Sequence, residues 1–236
     1  MSVMKRLSIL LFISLLIGSI SSAEPISVKD KVGKTEYEAL LPETYDKNDK
    51  DTKYSLIMVL HGANGQIEWM MDYWYSSPAA KEYIIVCPHL KYIGEMHVDI
   101  FSRIDKVLRH IKKKYNIDKN EMYLTGFSAG ADSALFYAIE HPKVFKAIAL
   151  AAFEFREDVF YNPYYSINNL KDLSFLVLQG ELDDTISKEN FNITVKELKK
   201  HGAKVEYEIL DIGHDYEMPQ VMKTFEYFEK FKEKEK

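Results

Sequence analysis

The feature that most restricts the fold of this chain is the alternation of short apolar runs with amphipathic segments. The runs that predict strands lie at residues 35–41, 55–60, 83–88, 121–126, 145–152, 174–180 and 204–210. The run SLIMVL at 55–60 is apolar throughout, which is typical of a strand covered on both faces. The run TEYEALL at 35–41 alternates instead, and this pattern predicts a half-exposed strand at the edge of the sheet.

The segments between these runs carry helical patterns. Residues 99–116 place Ile100, Ile104 and Ile111 on one face, with lysine and arginine on the other. Residues 187–202 begin at a capping serine, Ser187, and end at Gly202 after a basic last turn. Strands that alternate with helices predict an α/β fold, with a mostly parallel central sheet and helices on both faces.

The first residues predict a targeting segment rather than part of the fold. Lys5 and Arg6 precede an apolar run at 7–20, and the small residues Ser21 and Ala23 follow it. This order is typical of a signal peptide cleaved after Ala23, and the run is short for a membrane anchor, the alternative reading. We therefore expect a signal peptide at 1–23, a single domain at 24–236, no membrane anchor after cleavage, and a secreted or periplasmic protein.

Composition excludes several classes of function. The net charge of −5 offers no basic surface for nucleic acid. The one cysteine, Cys87, lies in the apolar run YIIVCP, which predicts a buried thiol that does not react. The seven histidines show no spacing typical of a metal site, so we expect neither a metal nor a cofactor. Most of them, including His97, are interpreted as surface or loop residues, and His61 as a loop-shaping residue.

The stretch GFSAG at 126–130 joins a predicted strand to a predicted helix. A serine at such a junction can sit on a sharp turn with its hydroxyl exposed above the sheet, as a nucleophile does. The glycines Gly126 and Gly130 fit this interpretation, because side chains at these places would meet the crossing backbone. Ser128 is therefore the candidate nucleophile.

A serine that attacks acyl groups needs a base, an acid that orients the base, and donors for the oxyanion. His214 follows the last predicted strand and is the candidate base. Candidates for the acid are Asp183 and Asp184 after the strand at 174–180, and Asp211 just before the histidine. The oxyanion donors are expected to be two backbone N–H groups. One follows His61-Gly62, at Ala63, and the other follows the serine, at Ala129.

The motifs together resemble an α/β-hydrolase. The strings VLHGANG, LTGFSAGADSALFYAIEHP, LVLQGELDDTIS and DIGH occur in the order of that fold, and the resemblance runs from about residue 37 to 216. It is strongest to compact esterases of the polyhydroxybutyrate-depolymerase, feruloyl-esterase and phospholipase/carboxylesterase types. The resemblance implies Ser128 as nucleophile and His214 as base. It selects Asp183 as the acid, since the glycine three residues before it and the isoleucine three after it match the family.

The resemblance implies a secreted serine esterase that acts on a small-molecule or polymeric ester through an acyl-enzyme intermediate. A peptidase or thioesterase with the same triad, or a non-catalytic binding protein with this fold, are the alternatives. Two segments rich in aromatic residues follow sheet strands and could line an acyl pocket or simply pack under loops. Their aromatic residues are Trp69, Tyr73, Trp74, Tyr75, Phe153, Phe155, Phe160, Tyr161, Tyr164 and Tyr165. The second segment is too short for a large lid domain.

Overall fold

The computed structural model describes residues 26–233 except positions 64, 66, 93 and 95. Its described part contains one eight-stranded sheet with the order β1-β2-β4-β3-β5-β6-β7-β8. The strands are β1 Ile26–Val32, β2 Thr35–Leu41, β3 Tyr54–Leu60, β4 Tyr83–Pro88, β5 Ile117–Phe127, β6 Ala147–Ala151, β7 Ser174–Gly180 and β8 Lys204–Leu210. Strand β2 is antiparallel to both of its neighbours, β1 and β4, and the six strands β3 to β8 are parallel to one another.

Helices cover both faces of this sheet. They are α1 Ile67–Ser76, α2 His97–Lys114, α3 Ala129–Glu140, α4 Glu157–Phe160, α5 Lys188–Lys200 and α6 Met218–Glu229. One apolar cluster packs α2, α3 and α5 against the sheet, and it includes Ile104, Leu135 and Phe191. A second cluster on the other face packs α1 and α6, through residues such as Trp74 and Phe225. The α/β-hydrolase architecture expected from the sequence is confirmed.

The segment between β6 and β7 contains only α4 and a short 3-10 helix, Ile167–Asp172. No large lid covers the described part of the chain. Within that part, no helix combines the length and the apolar character that crossing a bilayer requires. The expected signal peptide at 1–23 lies outside the described residues.

The edge of the sheet differs from the sequence-based expectation. Strand β2 was expected at the edge, half-exposed, but β1 pairs with its outer side, and all of β2 except Glu36 is buried. The sequence of β1, ISVKDKV, includes three consecutive charged residues, and all seven of its residues are exposed or half-buried. The sequence did not predict β1 because this strand lacks an apolar run. It covers the edge of β2, but no strand pairs with its own outer side among the described residues.

Candidate active site

Ser128 occupies a strained turn between β5 and α3. Its backbone has φ 52° and ψ −118°, in a region that residues with a Cβ rarely adopt. The Ser128 N–H donates to the carbonyl of Ala151 in the neighbouring strand at 2.9 Å, and the Ser128 carbonyl accepts the N–H of Ala131 at the start of α3. These contacts hold the turn in place, so the side chain projects at the carboxyl edge of the sheet.

The two glycines of the motif are required by close backbone contacts. A Cβ on Gly126 would lie 2.2 Å from the carbonyl oxygen of Gly130, and a Cβ on Gly130 would lie 2.2 Å from that of Leu60. Real Cβ atoms do not approach backbone oxygens so closely. Helix α3 therefore begins directly against the ends of β3 and β5.

The structure brings Ser128, His214 and Asp183 into one hydrogen-bonded chain. The Ser128 Oγ lies 3.2 Å from His214 Nε2, and His214 Nδ1 lies 2.9 Å from Asp183 Oδ2. With Nδ1 donating to the carboxylate, Nε2 is left to accept the serine hydroxyl proton. This is the arrangement in which a neutral imidazole can act as a base toward serine.

The loop after β7 presents one aspartate to the imidazole and the other to solvent. The Asp183 side chain is fully buried, and its Oδ1 accepts the N–H groups of Thr185 and Ile186 at 2.9 and 2.7 Å. Asp184 and Asp211 are exposed, and neither contacts His214 among the described residues. The two N–H groups hold the Asp183 carboxylate so that its second oxygen points to the ring.

The two residues that were expected to supply the oxyanion donors both lie near Ser128. Ala129 is the first residue of α3, and the N–H of a first-turn residue has no partner within its own helix. Ala63 follows β3 on the opposite side and lines a pocket together with Ser128 and His214. Helix α3 also directs the positive end of its dipole at this point. The roles of Ala63 and Ala129 as oxyanion donors stay predictions.

His61 supports the loops behind the site. Its Nε2 accepts the N–H of Leu90 at 3.0 Å, and its Nδ1 donates to the carbonyl of Gly62 at 2.6 Å. The ring is buried, and this burial lowers the pKa of His61 below its ordinary value. The expected loop-shaping role agrees with these contacts, which join the segments that follow β3 and β4.

Ser128 lies between two pockets of different size and composition. The larger has a volume of about 590 Å³ and is lined by α2, by the first turn of α3 and by the segment after β6. The smaller has a volume of about 280 Å³ and contains His214, with Trp69 and Phe127 in its wall. A ligand that reacts with Ser128 can therefore extend into both pockets.

A polar network in the larger pocket is absent from the sequence-based expectations. His97 Nε2 donates to Asp132 Oδ2 at 2.7 Å, the hydroxyl of Tyr165 hydrogen-bonds to His97 Nδ1, and Arg156 donates to Asp132 Oδ1 at 3.1 Å. His97 was expected at the surface or in a loop, but it opens α2 and packs against Phe101. Its position three residues before Ile100, on the apolar face of the helix, is the sequence signal that could have revealed this.

The aromatic segments divide between the two expected roles. Trp74, Phe153 and Phe160 are buried in the core, where they pack as structural residues. Trp69 lines the smaller pocket and Tyr165 the larger one. Among the residues that the structure describes, no group of three or more His, Cys, Asp or Glu side chains could hold a metal ion.

The sequence matches one family model, Esterase, which carries the description "Putative esterase". The match covers residues 103–230, more than half of the 236-residue chain, and includes β5, α3 and the loops that carry Asp183 and His214. No curated protein matches the sequence.

Solved structures share the fold at low sequence identity. A ferulic acid esterase superposes with a TM-score of 0.66 at 21% identity, over 89% of this chain and 99% of its own. The fluorophosphonate-binding serine hydrolase F of Staphylococcus aureus gives 0.72 at 14% identity, over 87% and 98%. An S-formylglutathione hydrolase from Agrobacterium tumefaciens gives 0.67 at 14% identity, over 88% and 93%. At these identities the similarity shows the fold alone.

Proposed function

Because this chain belongs to the Esterase family, we propose that it cleaves carboxylic esters through a Ser128–His214–Asp183 triad and an acyl-enzyme intermediate. The single observation that carries this proposal is the continuous hydrogen-bonded chain from Ser128 Oγ through the imidazole to the buried carboxylate. The strained backbone at Ser128 supports it as well, since strain of this kind is typical of a nucleophile held out on a turn.

In the first half-reaction, His214 Nε2 takes the hydroxyl proton as Ser128 Oγ bonds to the ester carbonyl carbon. The imidazolium that forms is stabilised by Asp183, whose carboxylate keeps Nδ1 protonated. The carbonyl oxygen becomes an oxyanion, for which we propose the N–H groups of Ala63 and Ala129 as donors. His214 then gives the proton to the departing alcohol, and the acyl group stays on Ser128.

In the second half-reaction, a water molecule replaces the alcohol. His214 removes a proton from this water as its oxygen attacks the acyl carbon, and the same N–H groups receive the oxyanion again. Collapse of the intermediate breaks the bond to Ser128 Oγ, which recovers its proton from His214. The products are a carboxylic acid, an alcohol and the original enzyme.

The proposal includes export of the protein. Residues 1–23 have the order of a cleaved signal peptide, and we propose that the mature protein begins at Glu24 and acts outside the cytoplasm. Expression of the full chain in a secreting host, followed by intact-mass measurement of the exported protein, tests this. A product that retains residues 1–23 contradicts the proposed cleavage.

A fluorophosphonate probe tests the chemistry directly. We expect stoichiometric labelling of Ser128, found by peptide mass mapping, and no labelling of the Ser128→Ala variant. Matched ester, thioester and amide substrates with one acyl group then separate esterase from thioesterase and peptidase activity. If the folded protein neither reacts with the probe nor cleaves any of the three substrates, the proposed function is wrong.

A further inference from the structure

The smaller pocket beside Ser128 is the one that receives the leaving alcohol, if the proposed mechanism holds. In that mechanism His214 gives a proton to the departing oxygen, so the alcohol must lie on the imidazole side of the serine. His214 lines the smaller pocket and is absent from the lining of the larger one. The chemistry of the smaller pocket therefore decides which alcohols are accepted.

Two residues that line this pocket, Trp69 and Asp215, have exposed side chains. Trp69 on α1 is 36% exposed, although its ring packs edge-on against Tyr73 with the centroids 5.4 Å apart. Asp215, the residue after His214, is exposed, and its carboxylate makes no hydrogen bond or ion pair with another described residue. Its backbone carbonyl alone is engaged, by the side-chain amide of Gln220.

The two pockets carry the same net charge when histidines are left out, but only the larger one contains a basic side chain. In the larger pocket Arg156 pairs with Asp132, and the exposed Glu154 leaves one net negative charge. The lining of the smaller pocket has no lysine or arginine, so with a neutral His214 it carries one net negative charge from Asp215. An aromatic ring and a carboxylate that line the same pocket can together attract an ammonium group, through cation–π attraction and charge.

We propose that the smaller pocket binds the alcohol half of the substrate as a cation, so that the preferred esters are those of ammonium-bearing alcohols. Trp69 contacts the ammonium group with its ring, and Asp215 supplies the opposite charge. The inference deepens the proposed function and rests on it, because it requires an alcohol that leaves on the His214 side.

The test compares two esters that differ only in charge. Butyrylcholine and 3,3-dimethylbutyl butyrate have nearly the same shape, with a quaternary nitrogen in one and a carbon in the other. Acid release in a pH-stat gives kcat/KM for both. We expect the wild-type protein to prefer butyrylcholine about tenfold, the combined effect of a surface cation–π contact and a solvent-exposed charge pair.

Variants of the two residues should reduce this preference. Trp69→Leu and Asp215→Asn should each lower the ratio of the two kcat/KM values about threefold, and the double variant should bring it close to one. The ratio cancels any effect of a variant on folding or on His214 itself. Asp211→Asn is the matched control, since it removes an equally exposed carboxylate that lies outside the pocket and should change the ratio less than twofold. Glu154→Gln, in the larger pocket, should also leave the ratio within twofold.

The experiment distinguishes a failure of this inference from a failure of the proposed function. Hydrolysis of 4-nitrophenyl butyrate that depends on Ser128 establishes the proposed function independently of the inference. If that ester is cleaved but the wild-type protein shows no preference for butyrylcholine, the inference is overturned while the function stands. The inference is also overturned if Asp215→Asn lowers both esters equally, since Asp215 would then act on His214, or if Glu154→Gln removes the preference, since the cation would then lie in the larger pocket.

Discussion

At the scale of single residues, Ser128 is the position on which the proposed chemistry depends most. We expect Ser128→Ala to lower kcat/KM on 4-nitrophenyl butyrate at least about 1000-fold, because covalent catalysis fails without its nucleophile. The fold should be retained, since alanine adds no atoms to the turn. Circular dichroism and steady-state kinetics on the same preparation check both parts. A loss smaller than tenfold would mean that another residue attacks the ester.

The adjacent aspartates provide a matched pair of substitutions. Asp183→Asn should lower kcat about 10⁴-fold, because an amide can donate to Nδ1 and thus favours the wrong imidazole tautomer. Asp184→Asn should change kcat less than twofold, since this side chain is exposed and does not reach His214. Steady-state kinetics of both variants decide the assignment. The reverse pattern would identify Asp184 as the acid.

At the scale of secondary-structure elements, the contact of α3 with the end of β3 makes the absence of a side chain at Gly130 important for stability. The methyl group of Gly130→Ala would overlap the carbonyl oxygens of Leu60 and His61. We expect a loss of about 2 kcal/mol or more in the free energy of unfolding, measured by chemical denaturation. Gly213→Ala is the control, because its Cβ would lie 3.7 Å from the nearest atom. If the two variants lose equal stability, the close contact at Gly130 does not limit the stability of the fold.

The loops joined by His61 should respond to pH. Burial lowers the pKa of His61 in the folded protein. As pH falls below about 6.5, the unfolded chain therefore takes up a proton at His61 before the folded protein does. The stability that the buried, neutral His61 contributes is therefore fully present above that pH and is lost as pH falls toward 5. Unfolding titrations should therefore show a smaller loss between pH 7 and 5 for His61→Gln than for wild type. His141→Gln, at the end of α3, serves as the control, and identical slopes for all three proteins would contradict the prediction.

The elements that the sequence did not reveal share a physical cause. The buried parallel strands are apolar because both faces are covered, so their composition alone identifies them. Strand β1 and helix α1 carry weaker signals. All of β1 is exposed or half-buried, and the aromatic residues of α1 were expected either to line a pocket or to pack under loops, with no helix assigned to them. The structure brings Ser128, His214 and Asp183 into contact, and the order of the motifs along the chain was enough to select Ser128 and His214 as candidates. The choice of Asp183 over Asp184 needed either the family pattern or the loop geometry, because two adjacent aspartates are equivalent in composition.

At the scale of the whole molecule, Cys87 reports on the integrity of the core. The thiol lies in β4 and is completely buried, and burial raises its pKa far above the ordinary value. Since the thiolate is the form that reacts, we expect no labelling by a thiol reagent in the native state and rapid labelling in denaturant. Mass spectrometry after timed exposure measures this. Labelling of the native protein within minutes would show that β4 opens locally, without unfolding of the whole domain.

The close packing around the motif also has an evolutionary consequence. The backbone of Gly130 occupies the space that a side chain at Gly126 would need. The backbone carbonyl groups of Leu60 and His61 occupy the space that a side chain at Gly130 would need. These positions are therefore constrained by shape, whereas Ser128 alone is constrained by chemistry. A descendant lineage that gave up catalysis could replace the serine in a single mutational step, yet it would lose stability by replacing either glycine. Among homologues, the glycines should thus persist as a record of an enzymatic ancestor after the activity itself has been lost.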